Sequence, residues 1–186
     1  MKVAAVVLAA GEGRRFIAGG GAGHKLLAPW RGRTVVRWAV DHAIEAGLER
    51  TWVVTGAVAL DGVLPAGAEV IVNSHWAEGQ ATSLQAAINI ARRAGVDAVV
   101  VGLGDQPLVT ATTWQLVAGA PGALSVATYN GRRRNPVRLG AQVWDLLPVV
   151  GDEGARVVMR KYPNLVSEVA CEGESIDIDT PQDLRR

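Results

Sequence analysis

The chain has 186 residues, of which 49% are hydrophobic and 20% charged, and its formal net charge is +1. That length fits a single domain over residues 1–186, and the composition excludes a disordered chain. So small a charge excludes a general nucleic-acid binder, and a single cysteine, Cys171, excludes an internal disulfide or a Cys-rich metal site. No run reaches the ~18 apolar residues of a membrane span, so no membrane partner is expected. The lone thiol and the strand-like beginning without a leader suit the cytoplasm. With no histidine near it in sequence, Cys171 reads as a packing residue rather than a nucleophile.

Strand-like and helix-like segments alternate along the chain. Val3–Leu8 reads as a buried strand that breaks into Ala9-Ala10-Gly11-Glu12-Gly13-Arg14-Arg15-Phe16. The glycine-rich stretch 19–23 reads as a flexible flap in this first loop. Thr34 offers an N-cap to a helix with Val36, Ala39, Val40, Ala43 and Ile44 on one face and Gly47 as its stop. Residues 52–55 and 70–72 read as strands, and 83–94 as a helix ended by Gly95. The nearly unbroken apolar run 98–103 reads as a central strand covered on both faces. A helix over 110–118, a strand over 124–128 and a polar loop over 129–135 follow. After these come a short strand at 137–139, helices at 141–147 and 154–161, and edge pieces at 166–170 and 175–178. This order implies a mainly parallel sheet between helix layers, with an antiparallel addition.

In such a fold, ligands sit at the carboxyl ends of the parallel strands. Gly11 and Gly13 let an anion approach the backbone there, and Arg14 and Arg15, with Lys25 further on, can add charge-assisted hydrogen bonds, although a plain tight turn has the same look. Asp105 follows the most hydrophobic strand on a turn stiffened by Pro107 and is either a ligand-facing carboxylate or a turn cap. Asp177 and Asp179 alternate on an extended piece, so one of them is expected in the pocket with Asp105. Two carboxylates from distant segments suit Mg²⁺, while Thr180-Pro181 is also a plain helix start. His42 falls within a helix and reads as structural. His24 and His75 lie in pocket-facing loops, where ligand contact stays open. Trp30 and Trp76 are candidates for the pocket lining, Trp38 and Trp52 for the core.

Taken as a set, Leu8-Ala9-Ala10-Gly11-Glu12-Gly13-Arg14-Arg15-Phe16 with Lys25, Asn73-x-x-Trp76-x-Glu78-Gly79 with Ser83-Leu84, Gly104-Asp105-Gln106-Pro107, Gly151 to Arg156, and Asp177 to Asp183 resemble the MobA-like nucleotidyltransferases. The nearest branch is the molybdenum cofactor cytidylyltransferases (MocA-like proteins). The resemblance implies a Rossmann-like three-layer α/β/α sandwich. It implies transfer of a nucleoside monophosphate, CMP first, from CTP or GTP to a phosphate-bearing acceptor such as molybdopterin, with release of pyrophosphate. It also implies a molybdoenzyme or chaperone as a protein partner.

By the same resemblance, Leu8, Ala9, Ala10, Gly11, Gly13, Asn73, Gly79, Gln80 and Ser83 bind the nucleotide, Arg15 and Lys25 hold phosphates, and Asp105 with Asp179 ligates Mg²⁺. Two departures stand out. Residues 17–24 lengthen the step from Arg15 to Lys25, and Arg132-Arg133-Arg134-Asn135-Pro136 replaces the family's usual Gly-His-Pro on the acceptor side. Guanylyl transfer to another phosphate acceptor, NAD(P)H-dependent oxidoreduction and nucleotide binding without turnover are the competing readings. A lone Gly11-x-Gly13, without a third glycine, is weak evidence for a dinucleotide site.

Overall fold

Val3–Ala9 forms a central strand, β1, whose side chains are buried on both faces. Ala4, Val6 and Leu8 enter one apolar layer, and Ala5, Val7 and Ala9 enter the other. The structure, a computed structural model, describes residues 1–185. After β1 come α1 (Arg14–Ala18), β2 (Pro29–Trp30), β3 (Arg33–Thr34), α2 (Val35–Glu45), β4 (Thr51–Thr55) and β5 (Ala68–Val72). Then follow α3 (Gln80–Ala94), β6 (Ala98–Leu103), α4 (Ala111–Gly119), β7 (Leu124–Tyr129), β8 (Arg132–Gly140), α5 (Arg156–Lys161) and β9 (Val166–Ala170).

The main sheet runs β5-β4-β1-β6-β8-β7-β9, and β8 is its antiparallel member among the described residues. Helices cover both faces, as expected. α3 packs Leu84, Ala87, Ile88 and Ala91 on one side, at helical spacing. α2 packs Val36, Val40 and Ala43 on the other, beside Trp114 and Val117 of α4. Gly102 in β6 has a specific cause, since an added Cβ would stand 2.6 Å from the Trp114 ring. The chain leaves β1 towards β4 and β5, then returns to β6 on the opposite side. That reversal opens a crevice at the carboxyl ends of β1 and β6, where α/β sheets take their ligands.

Several details depart from the sequence reading. The segment 129–135 is not a loop, because β7 turns directly into β8 through Asn130 (φ 51°) and Gly131 (φ 75°). Residues 175–178 form no strand. Thr34 occupies the N-cap position of α2, but its hydroxyl makes no capping bond and is buried without a partner. Trp30 belongs to a small core with Phe16, Val35 and Ile178 and lines neither cavity of the crevice. The glycine-rich stretch folds back on Phe16. Gly21 N–H donates to the Phe16 carbonyl at 3.0 Å, and a Cβ on Gly21 would lie 2.2 Å from the Phe16 ring. No helix among the described residues is long and apolar enough to cross a membrane.

Candidate active site

Two distant stretches of chain, at Asp105 and Asp179, converge on the Lys25 ammonium of the first loop. Its Nζ donates to Asp105 Oδ2 at 2.5 Å and to Asp179 Oδ1 at 2.9 Å. Arg15 Nη1 closes the cluster at 2.9 Å from Asp179 Oδ2. The lengthened loop 17–24 therefore still returns Lys25 to the crevice.

Backbone bonds fix this meeting point. Ile178 N–H donates to the Asp105 carbonyl at 2.9 Å, which ties the C-terminal stretch to the turn after β6. The Asp183 carboxylate accepts from Thr180 N at 2.9 Å, from Thr180 Oγ1 at 2.8 Å and from Asp179 N at 3.2 Å. The Asp183 side chain reaches back to cap the Thr180-Pro181 helix start, so that start and the pocket aspartate coexist. Asp177 does not turn away from the pocket. It accepts from Gln106 Nε2 at 2.6 Å and lines the same cavity as Asp105 and Asp179. Period-2 alternation fails here because the segment is irregular rather than a strand.

His24 is spent within the chain. Its Nδ1 accepts from Leu26 N–H at 3.2 Å, so its Nε2 carries the proton and donates to the Gly11 carbonyl at 2.9 Å. Burial lowers the His24 pKa; the bond to Gly11 opposes this, and the Lys25 charge lowers it further. Burial also works against the Lys25 ammonium, but Asp105 and Asp179 outweigh it and hold the pKa above its ordinary value. At Asp105, burial pushes the carboxyl up, Lys25 pulls it down, and Asp177 and Asp179 push it up again. The two directions conflict across one hydrogen bond. The charged pair is the better description, because Asp179 anchors the same ammonium.

Two cavities share this cluster. The first, about 530 Å³, is lined by Leu8, Ala9, Ala10, Gly11, Gly13, Arg15, Lys25, Gly79, Gln80, Ser83 and Asp105, with Trp76 and Asp152 beside them. Gly13 is required by its φ of 70° and by His24 and Lys25 packed against it. Gly11 is different, because an added Cβ would meet nothing within 4 Å. Gly79, at φ 109°, lets the start of α3 pass the Gly151 backbone, which a Cβ would approach to 2.5 Å. Asn73 lines neither cavity. Its amide donates to Thr82 Oγ1 and Ser83 Oγ, both at 2.9 Å, and its Oδ1 accepts from His75 N–H. It braces the start of α3 behind the wall, because strand-end position alone does not tell a lining residue from a supporting one.

The second cavity, about 580 Å³, has a floor of Leu84, Val101, Val126, Val137 and Met159 and a rim bearing Arg133, Arg134, Arg156 and Arg160. Arg133 pairs with Glu168 at 2.7 Å, and Arg160 pairs bidentately with Glu153. Arg134 and Arg156 have no carboxylate within 4.0 Å among the described residues. Sequence reading missed Asp152, Asn135 and Met159 as lining residues. The run Gly151 to Arg156 was the signal for the first, and nothing local marks Met159. Cys171 lies outside both cavities, and burial raises its thiol pKa, in keeping with a packing role.

Comparison with known proteins then decides the class. Residues 5–166 match the MobA-like NTP transferase domain. The chain belongs to that family. It is 34% identical over 200 residues to the nicotine blue oxidoreductase of Paenarthrobacter nicotinovorans, covering 99% of this chain and 95% of that protein. A nucleotidyl transferase from Methanothermobacter superposes with a TM-score of 0.82 at 27% identity, covering 98% of this chain and 94% of its own. The Mycobacterium tuberculosis protein Rv0371c, solved in complex with manganese, superposes at 0.74 with 26% identity, covering 100% and 97%. This chain thus has the Rossmann-like fold of the nucleotidyltransferases and falls within a family of such transferases.

Proposed function

We propose that this protein transfers a nucleoside monophosphate, CMP by preference, from an NTP to a phosphate-bearing acceptor such as molybdopterin and releases pyrophosphate. The observation that carries this reading is the Asp105–Lys25–Asp179 cluster, closed by Arg15, at the junction of two cavities. The smaller cavity suits the nucleotide, with the Leu8–Gly11 backbone and the Gly79–Ser83 segment around the base. The larger one, with its arginine rim, suits an acceptor carrying phosphate.

An oxygen-seeking divalent cation fits these residues. Asp105 Oδ1 is buried without a partner, and the neighbouring donors are carboxylate oxygens rather than imidazole or thiolate. Among the described residues no group of three or more His, Cys, Asp or Glu could hold a metal ion, so Asp105 and Asp179 would share it with ligand and water oxygens. Such an ion, Mg²⁺ or the Mn²⁺ of the mycobacterial relative, would polarise phosphoryl oxygens when bound. The chain's own groups would do the rest. Arg15 and Lys25 neutralise phosphate charge, and the Gly11–Gly13 turn lets the triphosphate lie against backbone. An acceptor phosphate oxygen forms a bond to the α-phosphorus as the bond from that phosphorus to the pyrophosphate oxygen breaks. The nucleophile is already an anion, so no side-chain base is needed, in keeping with the internal role of His24.

The name of the bacterial relative favours a second reading, NAD(P)H-dependent oxidoreduction. Against it, β4 ends at Thr55 and Gly56 follows, where a dinucleotide site carries an acidic residue for the ribose. Purified protein with Mg²⁺, molybdopterin and either CTP or GTP is expected to release pyrophosphate, with CTP the better donor. Asp105→Asn is expected to cut that release by about a hundredfold or more while retaining the fold. Dye reduction by NADPH without a divalent cation, and no pyrophosphate from any NTP, would replace the first reading with the second.

A further inference from the structure

We infer that Lys25 is an exchangeable counter-cation, which occupies the metal's place between Asp105 and Asp179 until phosphate draws it away. The inference rests on the metal-dependent reading above and extends it to what this chain does without ligand. Four carboxylate oxygens are available from the two aspartates, and three are committed. Lys25 takes Asp105 Oδ2 and Asp179 Oδ1, and Arg15 takes Asp179 Oδ2. Asp105 Oδ1 alone is without a partner, and it is buried. A cation joining the two carboxylates would also stand beside the Lys25 and Arg15 charges, and that repulsion favours displacement of one of the basic groups.

Lys25 is the group built to leave. Its ammonium ends a flexible four-carbon stem, and it lines the nucleotide cavity as well as touching both aspartates. An incoming triphosphate offers it another anion within reach. Until then the ammonium offsets the mutual repulsion of the aspartates and of Asp177 beside them. The device makes the free site a poor one for metal alone and couples metal binding to the arrival of phosphate.

The test uses Mn²⁺ alone, read from the electron-resonance signal of the free ion, with no nucleotide and no turnover. Lys25→Met is expected to bind Mn²⁺ tighter than wild type by about tenfold, and Lys25→Gln by a smaller factor. Lys25→Gln also serves if the methionine variant does not fold. In wild-type protein, acetylation of Lys25 by acetic anhydride, read by mass spectrometry, is expected to rise once Mn²⁺ is high enough to fill the site without phosphate. Equal or weaker Mn²⁺ affinity in the variants, no Mn²⁺ binding in any form, or unchanged Lys25 labelling would overturn the inference. Since neither measurement requires an NTP, a negative result here leaves the transfer reaction to stand or fall on pyrophosphate release.

Discussion

At Gly11 the proposed nucleotide binding can be tested apart from folding. Its neighbour Gly13 has reasons inside the chain, a left-handed φ and packed side chains, whereas Gly11 has room for a Cβ on every side. Gly11→Ala is therefore expected to leave stability unchanged or to raise it by about 0.4–1 kcal/mol through the entropy of the unfolded chain, with at most a small rise in melting temperature. The same substitution is expected to weaken CTP binding on the proposed reading, in which phosphate approaches the backbone where the methyl would stand. Thermal melts with and without CTP read both effects at once, and an alanine variant with full CTP affinity would show that the turn is only a turn. Single residues were legible in sequence to different degrees for a physical reason. Asp105 stood out because a carboxylate directly after an apolar strand is costly unless it has a task. Asn73 looked the same at its own strand end, yet its bonds to Thr82, Ser83 and His75 are invisible until α3 is placed beside it.

At the scale of elements, composition misled where a strand outruns its neighbour. β8 pairs with β6 only through Val137–Gly140, while Arg132–Arg134 pairs with β7 alone and overhangs the crevice. Three exposed arginines in a row read as a loop, but they are the solvent end of a strand. The readable signal was Asn130-Gly131, the residue pair that a tight two-residue hairpin turn demands. β1 and β6 raised no such difficulty, since strands buried on both faces are apolar throughout. Gly102 shows how tightly β6 is held against α4. Gly102→Ala is expected to destabilise the protein by about 1–3 kcal/mol, because the new methyl overlaps the Trp114 ring. Urea unfolding measures this loss, and Trp114→Leu in the same background is expected to restore part of it by making room.

Over the whole molecule, the first loop couples the state of the site to global stability through His24. The ring joins the glycine turn to the Lys25 turn only in its neutral form, because Nδ1 must accept from Leu26 N–H. Burial, the first cause, and the Lys25 charge depress its pKa below the unfolded value of 6.5. Below pH 6.5 the unfolded chain takes up this proton and the folded chain resists it, so the unfolded state binds more protons and stability rises with pH through that window. The His24 contribution is thus complete above pH 6.5 and is lost as pH falls towards the depressed folded value. His24→Asn keeps an acceptor for the Leu26 N–H and removes the titration. The wild type is expected to lose more stability than this variant between pH 7 and pH 5, as urea midpoints at each pH would record. Parallel curves would mean that the folded protein accepts the proton as readily as the unfolded one. In that case the bond from Leu26 N–H would not hold the two turns together, and the Lys25 turn would have to be placed by Leu26 packing alone.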